Sequence, residues 1–263
     1  MRAHLKNKVA LVTGSTSGLG REIARQLAGA GCHIVLNGFG EAATIDAQQA
    51  DLVAEHAVQV IHHSADLTDP AQITELMETS IAEFGGIDIL VNNAGMQFVS
   101  PLHDYPTEKW DIILALNLSA AFHTTKAALP SMRSRGWGRI INISSAHGLV
   151  ASPFKSAYVA AKHGLIGLTK VTALETARDN ITCNAICPGY IRTAVVDNQI
   201  EEQARVAGIP HDRVIDEIIL AKHPNKSFVT VEHVAESTLF LCSEAGASIT
   251  GSALSIDGGW TAC

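Results

Sequence analysis

Seven short apolar runs punctuate the chain: VALVTG (9–14), HIVLNG (33–38), VQVIHH (58–63), IDILVNNAG (87–95), GRIINISS (138–145), ITCNAICPG (181–189) and ALSIDGG (253–259). Each is rich in Val and Ile and is bounded by Gly, Asn, Asp or Pro, the pattern of a strand covered on both faces. The segments between them, such as SGLGREIARQLAGAG and AQITELMETSIAEFG, repeat apolar residues at three and four and close on glycine, which predicts amphipathic helices. Strands alternating with helices imply right-handed crossovers, hence one α/β domain over residues 1–263 with a parallel sheet of about seven strands. One segment breaks the rhythm. Residues 193–228 carry helical patterns but no strand, with Gly208-Ile209-Pro210 and Lys222-His223-Pro224-Asn225-Lys226 inside, and read as a helical lid inserted before the last strand.

In a doubly wound sheet, ligands bind outside the carboxyl ends of the strands, near the point where strand order reverses. The turn TGSTSGLG follows the first strand and opens a helix. Its Gly14, Gly18 and Gly20 let the backbone approach a diphosphate, and the helix N-terminus favours the negative charge. No Gly-Lys-Ser/Thr follows, so the turn is not a Walker loop. A Rossmann-type fold with a dinucleotide cofactor is expected.

Composition narrows the partners. A formal net charge of −7, with no run of like charges, argues against a nucleic-acid or anionic membrane surface. No apolar run approaches the roughly 18–20 residues of a membrane span, and MRAHLKNKVALVTGS passes from basic residues into a strand without a cleavage site, so a cytoplasmic protein is expected. Five cysteines, at positions 32, 183, 187, 242 and 263, lack any C-x-x-C spacing, and the 12 histidines show no ligand pattern; neither disulfides nor a metal site is expected.

The densest chemistry lies in SAHGLVASPFKSAYVAAKHG (145–164). Tyr158 and Lys162 are four apart on a predicted helix, on one face and one turn apart. A phenol titrates near ~10, too high for a base at neutral pH unless nearby positive charge stabilises the phenolate. Lys162 is expected to supply that charge. Ser145, at the end of the fifth run, is placed to hydrogen-bond a reacting oxygen and steer it toward Tyr158.

The spacing G-x3-G-x-G, Asn92-Asn93-Ala94-Gly95, Asn117 and the Ser145, Tyr158, Lys162 set occur in the order found in short-chain dehydrogenases/reductases, which the chain resembles from about Lys8 to Trp260. The resemblance implies hydride transfer between a carbinol carbon and nicotinamide, with Tyr158 as acid and base. It makes Asn117 the fourth catalytic member, whose backbone helps hold a water linked to the lysine. It places the cofactor on Gly14, Thr16, Ser17, Gly18, Leu19 and Gly20, on Phe39, Asp66 and Leu67, on Asn93 and Gly95, on Tyr158 and Lys162, and on Pro188, Gly189, Ile191 and Thr193. Asp66 is equally suited to be a turn or cap residue for the next helix. VLNGFG lacks the acidic residue that many NAD-dependent members carry, with Asn37 and Gly38 at that point. Neither 13–20 nor 37–40 contains a cation for the extra phosphate of NADP, and Glu41 would oppose it, so NAD is expected.

His147 and Lys155 remain outside the proton-transfer set, and both border the expected substrate pocket. A cation beside a histidine suits a small anionic substrate. The pattern NGFG, Ala-Gly-x-Gln, Ser-Ala-His-Gly-Leu-Val-Ala-Ser, Lys-Ser-Ala-Tyr and Asp-Gly-Gly-Trp is similar to that of the family's bacterial D-3-hydroxybutyrate dehydrogenase branch. That likeness implies a carboxylate grip by Gln97, His147, Lys155 and Gln199, beside Ser145 and Tyr158, with Tyr190 and Trp260 as apolar wall. Tyr190 stands where that branch often has Trp. The substrate expected is a small 3-hydroxy acid. A 3-oxoacyl-carrier-protein reductase, a sugar or polyol dehydrogenase, and a non-catalytic dinucleotide sensor are the alternatives. The family's habit implies a homotetramer, formed through helices near 110–128 and 157–177, whose small faces (Ala115, Ala120, Ala121; Ala160, Ala161, Gly164, Gly167) equally suit packing on the chain's own sheet.

Overall fold

The computed structural model describes residues 5–192, 196–197, 200–201, 204–205 and 208–262. Thr193 and Gln199 lie outside the described residues. The seven runs form β1 (Val9–Val12), β2 (His33–Asn37), β3 (Val60–His63), β4 (Ile89–Asn92), β5 (Gly138–Ile143), β6 (Ile181–Pro188) and β7 (Ala253–Ile256). They join in one parallel sheet of order β3-β2-β1-β4-β5-β6-β7, whose order of strand addition reverses between β1 and β4. The crevice predicted for ligands opens there.

Side chains alternate across the sheet and feed two cores. Ala10 and Val12 face α1 (Gly18–Gly29) and the later helix Val231–Cys242, packing with Ile23, Leu27, Val234 and Leu241. Val9 and Leu11 face the other way, onto Ile73, Leu76 and Met77 of α3 (Pro70–Phe84) and Ala128 and Met132 of a long helix. α2 (Ala42–His56) joins the first layer through Leu52, and α6 (Ser156–Thr176) the second through Ala173. Local sequence sets the ends of these helices. For α3, Asp69 accepts from the Ala71 N–H, Pro70 starts the helix, and Gly85, at φ 75°, takes the left-handed closing position.

The long helix runs Thr107–Arg135 and is apolar and long enough to cross a membrane, which a search for uninterrupted apolar runs misses. Here it lies along the sheet. It consists of α4 (Thr107–Leu114), a π-helical turn Ala115–Ser119, and α5 (Ala120–Arg135).

Between β6 and β7 the described residues include α7 (His211–Val214), a π turn Ile215–Ile219, and α8 (Val231–Cys242). Val196, Ile200, Ala204, Val214, Ile219 and Leu220 form a separate apolar cluster with Tyr190 and Phe228 packed against it. This excursion is tied back to the sheet where Ile191 bridges Val229.

Candidate active site

The diphosphate turn is shaped by its neighbours on β4 and β2. Gly14 and Gly18 take positive φ (63° and 53°), and a Cβ on Gly20 would strike Gly14 O. Asn93 Nδ2 donates to Thr13 O (2.9 Å) and Gly14 O (3.2 Å), while Thr13 Oγ1 accepts from the N–H groups of Asn93 (2.9 Å) and Ala94 (3.0 Å). Asn93 thus braces the turn itself. A cradle held open in this way, with no room for side chains at Gly20, fits a dinucleotide diphosphate.

Asn37 explains the missing acidic residue. It is buried, and its Nδ2 donates to His63 O and Ala65 O (3.1 Å each), while its Oδ1 accepts from Gly14 N–H (3.4 Å). The side chain stitches β2 to β3 and the turn, so the nucleoside end is left to Gly38 and exposed Phe39. Thr16 Oγ1 donates to Phe39 O (2.8 Å), closing the loop onto the turn. Asp66 Oδ1 accepts from both the N–H and the hydroxyl of Thr68 (2.8 Å each), making it a turn residue, and Asp69 is the helix cap. Leu67 is buried in the second core, so its side chain belongs to the sheet packing. Pro188, Gly189, Ile191 and Leu19 line the main cavity, and a Cβ on Gly189 would meet His223 Nε2.

The chemical groups converge where β5 ends and α6 begins. Ser145 accepts from the His147 N–H (3.1 Å) and hydrogen-bonds Tyr158. Lys162, one turn along α6, is buried, donates to Ile143 O (2.7 Å) and lies 5.6 Å from the Tyr158 ring centroid. Burial pushes the Lys162 ammonium down to about 8. Burial also pushes the Tyr158 phenol up; the Ser145 bond opposes this and Tyr190 adds to it. The expectation that Lys162 stabilises the phenolate rests on its placement one turn along α6 from Tyr158. One of the three ammonium donors is taken by a backbone carbonyl, which fixes the charge in place, while desolvation dominates at the phenol.

Asn117 sits in the π turn of the long helix, where its amide clasps Met96: Nδ2 donates to Met96 O (2.7 Å) and Oδ1 accepts from Met96 N–H (2.9 Å). A Cβ on Gly95 would lie 2.6 Å from Asn117 Oδ1. Beside this clasp a small recess of about 10 Å³, bordered by Thr13, Asn92, Asn117, Thr124 and Lys162, has room for roughly one water.

A cavity of about 500 Å³ brings together Gln97, Ser145, His147, Lys155, Tyr158, Tyr190 and Trp260. Trp260 comes from the same chain. Its ring stacks on Tyr190 (centroids 5.8 Å, 1°) and meets His147 edge-on (4.9 Å). Lys155 Nζ lies 5.5 Å from the Tyr190 centroid, and burial lowers its pKa. Burial, then Lys155 and Lys222, push the His147 imidazole down to about 4, so it is neutral at pH 7. Several residues here escape sequence reasoning. Ser152 bonds His147 Nε2 (2.9 Å), Val196 lines the cavity, and Lys222 and His223 pack on Trp260. Only their placement in the 193–228 excursion hinted at the last two.

A diphosphate turn at the head of a doubly wound sheet, with serine, tyrosine and lysine gathered at the carboxyl end of β5, defines a nucleotide-dependent oxidoreductase. Residues 14–261 match the family model described as Enoyl-(Acyl carrier protein) reductase, and the chain belongs to the short-chain dehydrogenase/reductase family. It is similar to a D-beta-hydroxybutyrate dehydrogenase of Rhizobium meliloti (strain 1021), 55% identical over 255 residues that cover 97% of this chain and 99% of the relative. It is also similar to a D-beta-hydroxybutyrate dehydrogenase of Cupriavidus necator, 51% identical over 259 residues, covering 98% and 99%. Among solved structures it is similar to L-sorbose reductase from Gluconobacter frateurii complexed with NADPH and L-sorbose, with a TM-score of 0.91, 32% identity and 98% of each chain covered.

Proposed function

We propose that the protein oxidises D-3-hydroxybutyrate to acetoacetate, reversibly, with NAD. The observation that carries this reading is the convergence of His147, Lys155 and Gln97 on the cavity that also holds Ser145 and Tyr158. A cation and neutral N–H donors beside the proton-transfer pair suit a carboxylate two carbons from a reacting hydroxyl. The names of the two bacterial relatives support the same substrate.

NAD held on the Gly14–Gly20 turn would supply the hydride acceptor for the carbinol carbon, and NADH the donor in the reverse direction. Tyr158 takes the hydroxyl proton in oxidation and gives it back in reduction, while Ser145 orients the reacting oxygen. Lys162, fixed on Ile143 O, holds positive charge beside the phenol. The water-sized recess between Asn117 and Lys162 supports a relay that resupplies the proton.

NAD is favoured over NADP by the absence of Lys or Arg from 13–20 and 37–40 and by the inward turn of Asn37. Gln199 and Thr193, with the rest of 193–228, are assigned to a lid that completes the carboxylate and nicotinamide contacts. The enzyme is assigned to the cytoplasm, where buried thiols such as Cys32, Cys183, Cys187 and Cys242 stay reduced, and to a homotetramer.

Absorbance at the reduced-nicotinamide band, with NAD or NADP and each enantiomer of 3-hydroxybutyrate, tests this directly. The expected result is turnover with NAD and the D enantiomer. NAD binding by calorimetry without turnover of either enantiomer would sink the assignment.

A further inference from the structure

Lys222 lies on the excursion between β6 and β7, seventy residues from the loop it touches. Its Nζ donates to Ser152 Oγ (3.4 Å) and sits 5.7 Å from the Trp260 ring centroid. Ser152 Oγ in turn bonds His147 Nε2 (2.9 Å), and Trp260 meets the His147 ring edge-on at 4.9 Å. Both neighbours of the His147 ring on that side are therefore held by one cation, which does not itself border the cavity that His147 lines.

A neutral imidazole carries one donor and one acceptor nitrogen, and the partner of one nitrogen decides the role of the other. An ammonium can only donate, so Ser152 Oγ is an acceptor toward Lys222. The hydroxyl keeps its own proton to give, and among the described residues His147 Nε2 is the one other partner, so we assign that proton to Nε2. Nε2 then accepts, and the ring proton resides on Nδ1. In the opposite tautomer the nitrogen that Ser152 leaves free would carry a lone pair and could not donate.

We propose that Lys222 is a positioning residue: acting through Ser152, it holds His147 in the Nδ1–H tautomer, so that the ring offers the substrate carboxylate a hydrogen-bond donor. This rests on the reading of His147 as a carboxylate ligand. It also links the excursion to specificity, since Lys222 belongs to it and Ser152 does not.

The test uses the full chain with ¹⁵N-labelled histidine, the His147 ring signals being identified by their loss in His147→Asn. Wild type and Lys222→Arg should show protonated Nδ1, while Lys222→Met and Ser152→Ala should shift the ring toward Nε2–H. In kinetics, Lys222→Met should raise KM for 3-hydroxybutyrate about tenfold with kcat within about twofold, as expected for one misdirected charge-assisted hydrogen bond. The methyl ester of the same acid, a neutral and weaker acceptor, should lose less than the acid. The double variant with Ser152→Ala should be no worse than the poorer single variant, because the two act in one chain of contacts. An unchanged His147 tautomer in Lys222→Met, or losses that add in the double variant, would overturn the proposal. If His147→Asn leaves KM for the acid unchanged, the carboxylate reading falls and the substrate half of the proposal with it. The ring spectra decide the tautomer half separately.

Discussion

Tyr158 holds its phenol where burial opposes ionisation, with Ser145 as its hydrogen-bond partner. Replacing it by Phe keeps the ring that meets His147 edge-on at 6.0 Å and removes only the hydroxyl. Tyr158→Phe should therefore leave the cofactor Kd nearly unchanged by calorimetry while kcat falls about 10²–10⁴-fold or more, the usual share of a general acid or base. Full turnover in that variant would exclude Tyr158 as the proton acceptor. His147 gives a prediction in pH. An ordinary imidazole gains its proton near ~6.5, but this one is pushed down to about 4 by burial first and by Lys155 and Lys222 next. Its neutral form is thus the only one populated above that range, and protonation enters only on the acid side. The ratio of wild-type to His147→Asn kcat/KM, which reports the free enzyme, should stay flat through the ordinary imidazole range. A tenfold change in the ratio centred near ~6.5 would show a histidine that titrates normally.

At the scale of elements, the catalytic arrangement depends on an irregularity. The π turn Ala115–Ser119 interrupts the helix Thr107–Arg135 and carries Asn117, whose amide makes both hydrogen bonds to Met96. Asn117→Ala deletes both inside the protein, so a stability loss of about 1–3 kcal/mol is expected, read as a lowered denaturant midpoint. The kcat of the folded variant should fall as well, since Met96 follows Gly95 into the cavity; unchanged stability would mean that water replaces the clasp. Such a turn is invisible in an apolar pattern of period 3.6, because one extra residue shifts the phase without changing composition. The strands were legible because Val and Ile runs buried on both faces have few other uses. Each is shorter than its apolar run: Gly38 and Gly189 fall outside at the carboxyl end, and Val58-Gln59 and Ile87-Asp88 at the amino end. Ser145, Tyr158 and Lys162 were legible for a related reason: their meeting needs only one strand end and one helical turn. The role of Asn37 was not legible in isolation, since its inward bonds to His63 and Ala65 depend on a segment 26 and more residues away. The Lys222 to Ser152 contact spans 70 residues and leaves no local trace.

For the whole molecule, most of the small residues that suggested an intersubunit face are used inside the chain. Ala120, Ala121 and Ala161 are buried, and Gly164 admits Leu118, whose Cδ2 would lie 2.9 Å from a Cβ there. Larger apolar side chains on the same two helices point outward instead: Ile112 and Phe122 on the long helix, Val171 and Leu174 on α6, with Leu174 80% exposed. Two adjacent helices with such faces suit a twofold contact, in which each residue is buried twice, once per copy. Burying Leu174 in both copies contributes about 3–6 kcal/mol per interface, twice the value for one leucine. Leu174→Lys removes that contribution and sets two like charges across the axis. Light scattering behind size exclusion should then show a tetramer for the wild type and a smaller assembly for the variant at the same concentration, with the far-UV spectrum unchanged. A tetramer that survives Leu174→Lys would place the contact on another face. A monomeric wild type would remove the homotetramer from the proposed function.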